Sequence, residues 1–188
     1  MITQPNSSPS ILIQTAKEVG LDAPGYVLTA SMTVDLPIQP VFEFFSDAMQ
    51  LESITPPWLH FSVLTPQPIE MRKGLLLDYK LYLHRIPIKW RTEIAEWDPP
   101  YRFVDTQLKG PYKRWYHTHT FEEHNGQTLV KDHVHYIPRG GSLIHRFFVK
   151  PDLLKIFGYR QEQLAKLFAA KKREIDSLQS SRVLQQTS

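Results

Sequence analysis

The stretch "RWYHTHTFEEHNGQTLVKDHVHYIP", residues 114–138, decides the fold. Two runs of strand composition flank the dipeptide Asn125-Gly126. Asn-Gly is the preferred centre of a two-residue type I′ hairpin turn, because both positions need positive φ. That turn pairs His124 with Gln127, and the remaining pairs follow by counting. His119 then faces Asp132, and His117 faces Val134. Trp115, His117, His119, Phe121, Val130, Asp132, Val134 and Tyr136 share one face. His133 and His135 take the other.

A three-residue loop with a bulge is the rival. It slips the register by one residue and brings all four histidines to one face. The hydrophobic pattern separates the two. The first register sets Trp115 and Phe121 with Val130, Val134 and Tyr136. The second sets them against Lys131, His133 and His135. The first is expected, and a four-histidine site is not.

Working outward, further strand-like runs precede the hairpin at residues 26–34, 60–66, 74–84, 86–97 and 101–109. "MRKG", a turn at Pro87, "DPP" and "KGPY" separate the later ones, which suits antiparallel neighbours. Pro87 has no N–H and marks an edge or bend. Pro40 suits the first turn of a short helix carrying Val41, Phe42, Phe44 and Phe45. "TPPWL" (55–59) is an extended segment or turn. After Gly140-Gly141, apolar residues at 153, 156, 157, 164, 167 and 168 mark a long amphipathic helix. Pro151 is expected to break it near its start.

This order predicts an α+β fold, a curved antiparallel sheet wrapped around one long C-terminal helix. Residues 1–24 are expected to be a loosely ordered arm, 25–174 a single domain, and 175–188 a frayed tail. The chain of 188 residues is long enough to bury a core, and aromatics make up 12% of it. Such side chains fill a core or line an internal apolar cavity equally well.

No cysteine is present, which excludes disulfides and thiolate chemistry. The N-terminus lacks a basic leader, and no run reaches the roughly 18 apolar residues a membrane span needs. A cytoplasmic protein is expected. The net charge is +3, and residues 150–174 hold seven basic against three acidic residues. That segment reads as a solvated helix face, or as a weak contact for an anionic membrane. Glycine-rich phosphate loops, nucleophile elbows, zinc-protease motifs and nucleic-acid modules are all missing, so no nucleic-acid partner is expected.

The expected site follows from the inward face. His117, His119 and Asp132 would meet in an aromatic interior. They could act as a structural or ligand-orienting cluster, for example with Arg160. They could do acid–base chemistry. The His119–Asp132 pair could also be two-thirds of a two-histidine, one-carboxylate metal site. No further histidine is placed beside them, so neither metal nor cofactor is expected. Asp105 has an ambiguous face. The expected ligand wall is Trp58, Tyr79, Leu81, Trp90, Trp115, Phe121, Val134, Tyr136 and Phe157, with His117, His119, Asp132 and Arg160 as its polar members.

The order of elements resembles a known family. So do the segments "PPWLHF", "WRTEIAEWDPPYRFVDTQLKGPYKRWYHTHTFEE", "VKDHVHYIP" and "IFGYRQEQL". Over about residues 26–170 the chain is similar to the SRPBCC superfamily of START-like and polyketide cyclase/dehydrase-like proteins. The resemblance implies a helix-grip fold with an internal hydrophobic cavity. Members bind lipids, sterols, polyketides or other apolar molecules, and some catalyse cyclisation or dehydration. No single catalytic motif transfers. The expectation is a binder of a small hydrophobic ligand. A cyclase or dehydratase with a His-Asp pair and a membrane-associated lipid carrier are the alternatives.

Overall fold

The computed structural model describes residues 9–186. Its strands are β1 (Ser10–Thr15), β2 (Tyr26–Val34), β3 (Ser62–Val63), β4 (Leu76–Leu83), β5 (Ile86–Asp98), β6 (Arg102–Lys109), β7 (Tyr112–His124) and β8 (Gln127–Pro138). The helices are α1 (Ile38–Ser46), α2 (Gln50–Ser53), α3 (Gly141–Ile144) and α4 (Lys150–Gln186). One antiparallel sheet holds all eight strands, in the order β1-β2-β8-β7-β6-β5-β4-β3. Irregularities in β5 beside Arg91/Thr92 and Ile94/Glu96 bend the strand. The sheet grips α4, giving a helix-grip α+β fold.

The central hairpin has the expected register. His124 pairs with Gln127, His119 with Asp132 and His117 with Val134. Asn125 and Gly126 take φ of 52° and 76°, as a type I′ turn requires. Pro87 lies beyond the last β5–β6 pair, Arg91 with Lys109, so its missing N–H costs that ladder nothing.

Helix α4 buries Leu153, Phe157, Leu164 and Phe168 along one stripe. Leu153 and Phe157 pack with Leu28, Trp115 and Val134. Leu164 and Phe168 pack with Phe42, Phe44, Phe121 and Val130. The helix thus ties two aromatic cores to the concave face. No helix of the described residues is long and apolar enough to cross a membrane.

Four expectations need correction. Residues 10–15 are not a loose arm. They form β1, pairing Ser10 with Ser31 through Thr15 with Tyr26. The polar composition hides a short strand in which Ile13 turns inward while β2 satisfies the backbone. Residues 175–186 are not frayed, because α4 continues through them. Lys172 pairs with Asp176 one turn apart, and Ile175 packs on the core. Residues 60–66 shrink to the two-residue β3, since Pro66 and Pro68 cannot donate to a ladder. Pro151 does not break the helical path. One π-helical turn (His145–Val149) lies just before it, and α4 runs on from Lys150.

Candidate functional site

Alternation along β7 aims Trp115, His117 and His119 at the concave face. β6 places Asp105 directly opposite His117, and β8 places Asp132 opposite His119. Two imidazoles therefore sit between two carboxylates. His117 Nε2 lies 3.0 Å from Asp132 Oδ1, and His119 Nε2 lies 3.1 Å from Asp105 Oδ2. His117 Nδ1 is 3.4 Å from Asp105 Oδ2. His119 Nδ1 is 2.8 Å from Asp132 Oδ1, close enough for an ion pair but off the hydrogen-bond direction. Phe103 stacks on His119 with ring centres 4.2 Å apart.

Burial and charge divide the four groups. Burial drives the His117 pKa down, and the neighbouring His119 adds to the fall. Burial also opposes charge on His119, but the contacts to Asp105 and Asp132 outweigh it and raise its pKa. Burial would raise the Asp132 pKa, yet both histidines overcome that and hold its carboxyl well below the usual range. The two rings are thus biased in opposite directions, His117 toward the neutral form and His119 toward the imidazolium.

This cluster borders an internal cavity of about 190 Å³ between the sheet and α4. Asp105, His117 and His119 line it, whereas Asp132 stands behind the imidazoles. Arg160 reaches in from α4, one turn beyond Phe157. Its Nε is buried with no hydrogen-bond partner among the described residues. Burial lowers the Arg160 pKa, and the fields of Asp132 and Asp105 partly offset the fall. The remaining wall is mostly apolar, from Phe44, Phe45 and Leu51 to Ile94, Tyr112 and Ile156.

Of the expected wall, Tyr79, Leu81, Trp90, Trp115, His117, His119, Phe157 and Arg160 line the cavity. Five residues do not: Asp132, behind the imidazoles, and Trp58, Phe121, Val134 and Tyr136. Trp58 is 42% exposed and packs edge-on against Tyr159, with Lys155 Nζ 4.4 Å from its ring centre. The 3₁₀ turn Pro57–Leu59 turns it onto the outside of α4. Phe121 fills the core against Phe42 and Phe45. Val134 is sealed in the other core. The Tyr136 hydroxyl bonds His145 Nε2 at 2.8 Å, and His145 stacks on Tyr26. These last three share the inward face but pack into the cores and do not line the cavity.

Sequence reasoning left Asp105 open and missed Phe44, Phe45, Phe103 and Tyr112 as lining residues. Strand parity on β6 was the available signal for Asp105. The consecutive apolar residues Phe103 and Val104, both buried, hide that parity.

The backbone is similar to that of protein Ms6760 from Mycobacterium smegmatis, with a TM-score of 0.62 at 17% identity. The match covers 86% of this chain and 99% of that one. Protein CV1439 from Chromobacterium violaceum gives 0.62 at 16% identity, over 77% and 98% of the two chains. Both likenesses are of fold. Comparison with curated proteins gives no match. Residues 34–162 match the family model described as polyketide cyclase / dehydrase and lipid transport. A helix-grip backbone with that match over most of its length identifies the chain as a member of this SRPBCC-type family.

Proposed function

We propose that the chain binds a small, largely apolar molecule in the cavity between the sheet and α4. The ligand's polar end would lie against His117, His119 and Arg160. A mostly apolar wall that also holds a polar cluster carries this reading. Aromatic and aliphatic side chains form most of the lining, and Asp105, His117, His119 and Arg160 add charged and hydrogen-bonding groups to it. Arg160 Nε has its desolvation already in place and no acceptor to meet, so an oxygen of the ligand supplies what it lacks. A cytoplasmic binder or carrier is the setting this reading assumes. Native mass spectrometry of the purified protein, beside its denatured mass and an organic extract, tests it. A retained apolar species is expected. An apo mass unchanged by a panel of lipids and polyketide-like aromatics counts against it.

The opposed pKa directions of two adjacent histidines favour a second reading, a cyclase or dehydratase. Neutral His117 would take a proton from the substrate, and imidazolium His119 would return one. With a substrate in hand, His119→Ala separates the two. A binder loses modest affinity, whereas an enzyme loses most of its rate and still binds.

Leu143, Phe147 and Phe148 are 70%, 64% and 53% exposed beside Arg146 and Lys150, which favours a carrier that touches anionic membranes. Salt-sensitive binding to vesicles containing phosphatidylserine is then expected, and its absence removes this role.

A further inference from the structure

We infer that Asp105, His117 and His119 form a site for one divalent first-row transition-metal ion, with the Asp132 carboxylate behind both imidazoles. The inference goes beyond ligand binding and does not rest on it. One donor atom from each residue can be chosen so that all three lie within 4.8 Å of one another. Asp105 Oδ2 is 3.1 Å from His119 Nε2 and 3.4 Å from His117 Nδ1. Metal–ligand bonds of about 2.0–2.2 Å place neighbouring donors roughly 3.0–3.5 Å apart in octahedral or tetrahedral geometry. Two edges of the triangle already have that length, so a small ring movement would complete the set.

The opposite nitrogens strengthen the assignment. His117 Nε2 and His119 Nδ1 both lie against Asp132 Oδ1, at 3.0 and 2.8 Å. An imidazole that binds metal through one nitrogen gives its other N–H to a carboxylate, which fixes the tautomer and raises ligand basicity. Here His117 Nε2 makes that bond to Asp132 Oδ1, and His119 Nδ1 lies at ion-pair distance from the same oxygen but off the hydrogen-bond direction. The donors sit at alternate positions of β7 and directly across on β6, so the triad rests on sheet backbone rather than on loops.

Access supplies a third observation. Asp105, His117 and His119 face the cavity and Asp132 does not, so open coordination positions would point at whatever the cavity holds. Two imidazoles and one carboxylate suit zinc, cobalt or ferrous iron better than magnesium or calcium. Arg160 and Tyr79 also face this region, and the Arg160 charge opposes a cation. Asp105 and Asp132 together supply two negative charges against it. The metal would take the place of the His119 proton, and an anionic oxygen on an open position would pair with Arg160.

The test uses full-length protein stripped with EDTA. Cobalt titration followed by visible absorption, and zinc titration by calorimetry, are expected to give one ion per chain. Magnesium is expected to give no response. Asp105→Asn and His119→Gln are expected to weaken binding at least 100-fold, and Asp132→Asn about 10- to 100-fold. Histidine nitrogen NMR of the unmodified protein guards against misfolded variants. Zinc should shift His117 Nδ1 and His119 Nε2 and leave His84 and His133 unmoved. Absence of one-to-one binding, survival of binding in Asp105→Asn and His119→Gln, or shifts confined to His84 or His133 would overturn the site. Ligand retention is measured on the same stripped protein. Retention with no metal response ends this inference alone, and metal loading of a protein that retains nothing supports the site while counting against the ligand reading.

Discussion

His117 and His119 lie two residues apart on one strand, yet their ring centres are only 3.8 Å apart, at 36° between planes. Same-face neighbours on a strand stand roughly 6.5 Å apart at the backbone. The rings converge because both reach the same oxygen of Asp132 on one side and the same oxygen of Asp105 on the other. Like-charged stacked imidazoles would repel, so the arrangement favours one proton fewer than full ionisation.

The first prediction concerns Asp132. Its carboxylate is hydrogen-bonded to His117 Nε2, lies 2.8 Å from His119 Nδ1 and is buried. Asp132→Ala leaves a buried imidazolium with one counter-charge instead of two. The expected destabilisation is about 3–5 kcal/mol, the range for breaking a buried ion pair from one side. Urea unfolding of the variant beside the unmodified protein measures it.

The second concerns protonation without added metal. Histidine NMR titration should show His119 holding its proton above the ordinary histidine range and His117 losing its proton below it. The stability consequences have opposite sign. The contribution of His119 is full below the unfolded pKa of about 6.5 and is lost as pH rises through its folded value. His117 resists protonation when folded, so its effect costs stability as pH falls below about 6.5. Equal titration of the two rings would contradict the asymmetry.

The third concerns the cavity. Leu81 lies on β4 and faces the empty space. Leu81→Trp places an indole where a ligand would lie. Uptake of an apolar fluorescent probe should fall by roughly tenfold or more, a change of about 1.4 kcal/mol. The urea midpoint should move little, because the added bulk enters a void rather than packed core. Unchanged probe uptake would place binding elsewhere.

The fourth separates core from cavity. Phe42 is buried, packs on Trp97, Phe103 and Phe121, and does not line the cavity. Phe42→Ala should cost about 3–5 kcal/mol of stability. The retained-ligand signal in native mass spectrometry should be unchanged at temperatures where the variant stays folded.

Much of the fold was legible in one hairpin. Asn125-Gly126 permits a tight turn by its φ angles alone, and the period of two then assigns every residue of β7 and β8 to a face. That local logic placed His117 and His119 beside Asp132 before any tertiary contact was known. The stripe of α4 was equally local, since a period of 3.6 residues is written in the positions of Leu153, Phe157, Leu164 and Phe168.

Tertiary structure alone decided the rest. Asp105 joined the histidines because the β6–β7 register brought it opposite His117, across a turn whose geometry no dipeptide specifies. Trp58 and Phe121 have the composition of pocket residues, but one was turned onto the outside of α4 and the other sealed against Phe42. β1 formed because β2 offered an unpaired edge, a partner absent from the local sequence of residues 10–15. By itself the sequence determined which residues of β7, β8 and α4 face inward, because facing there depends on backbone period. Which inward residues meet an empty space and which meet other side chains depends on how far the sheet bends over α4, and that is a property of the assembled fold.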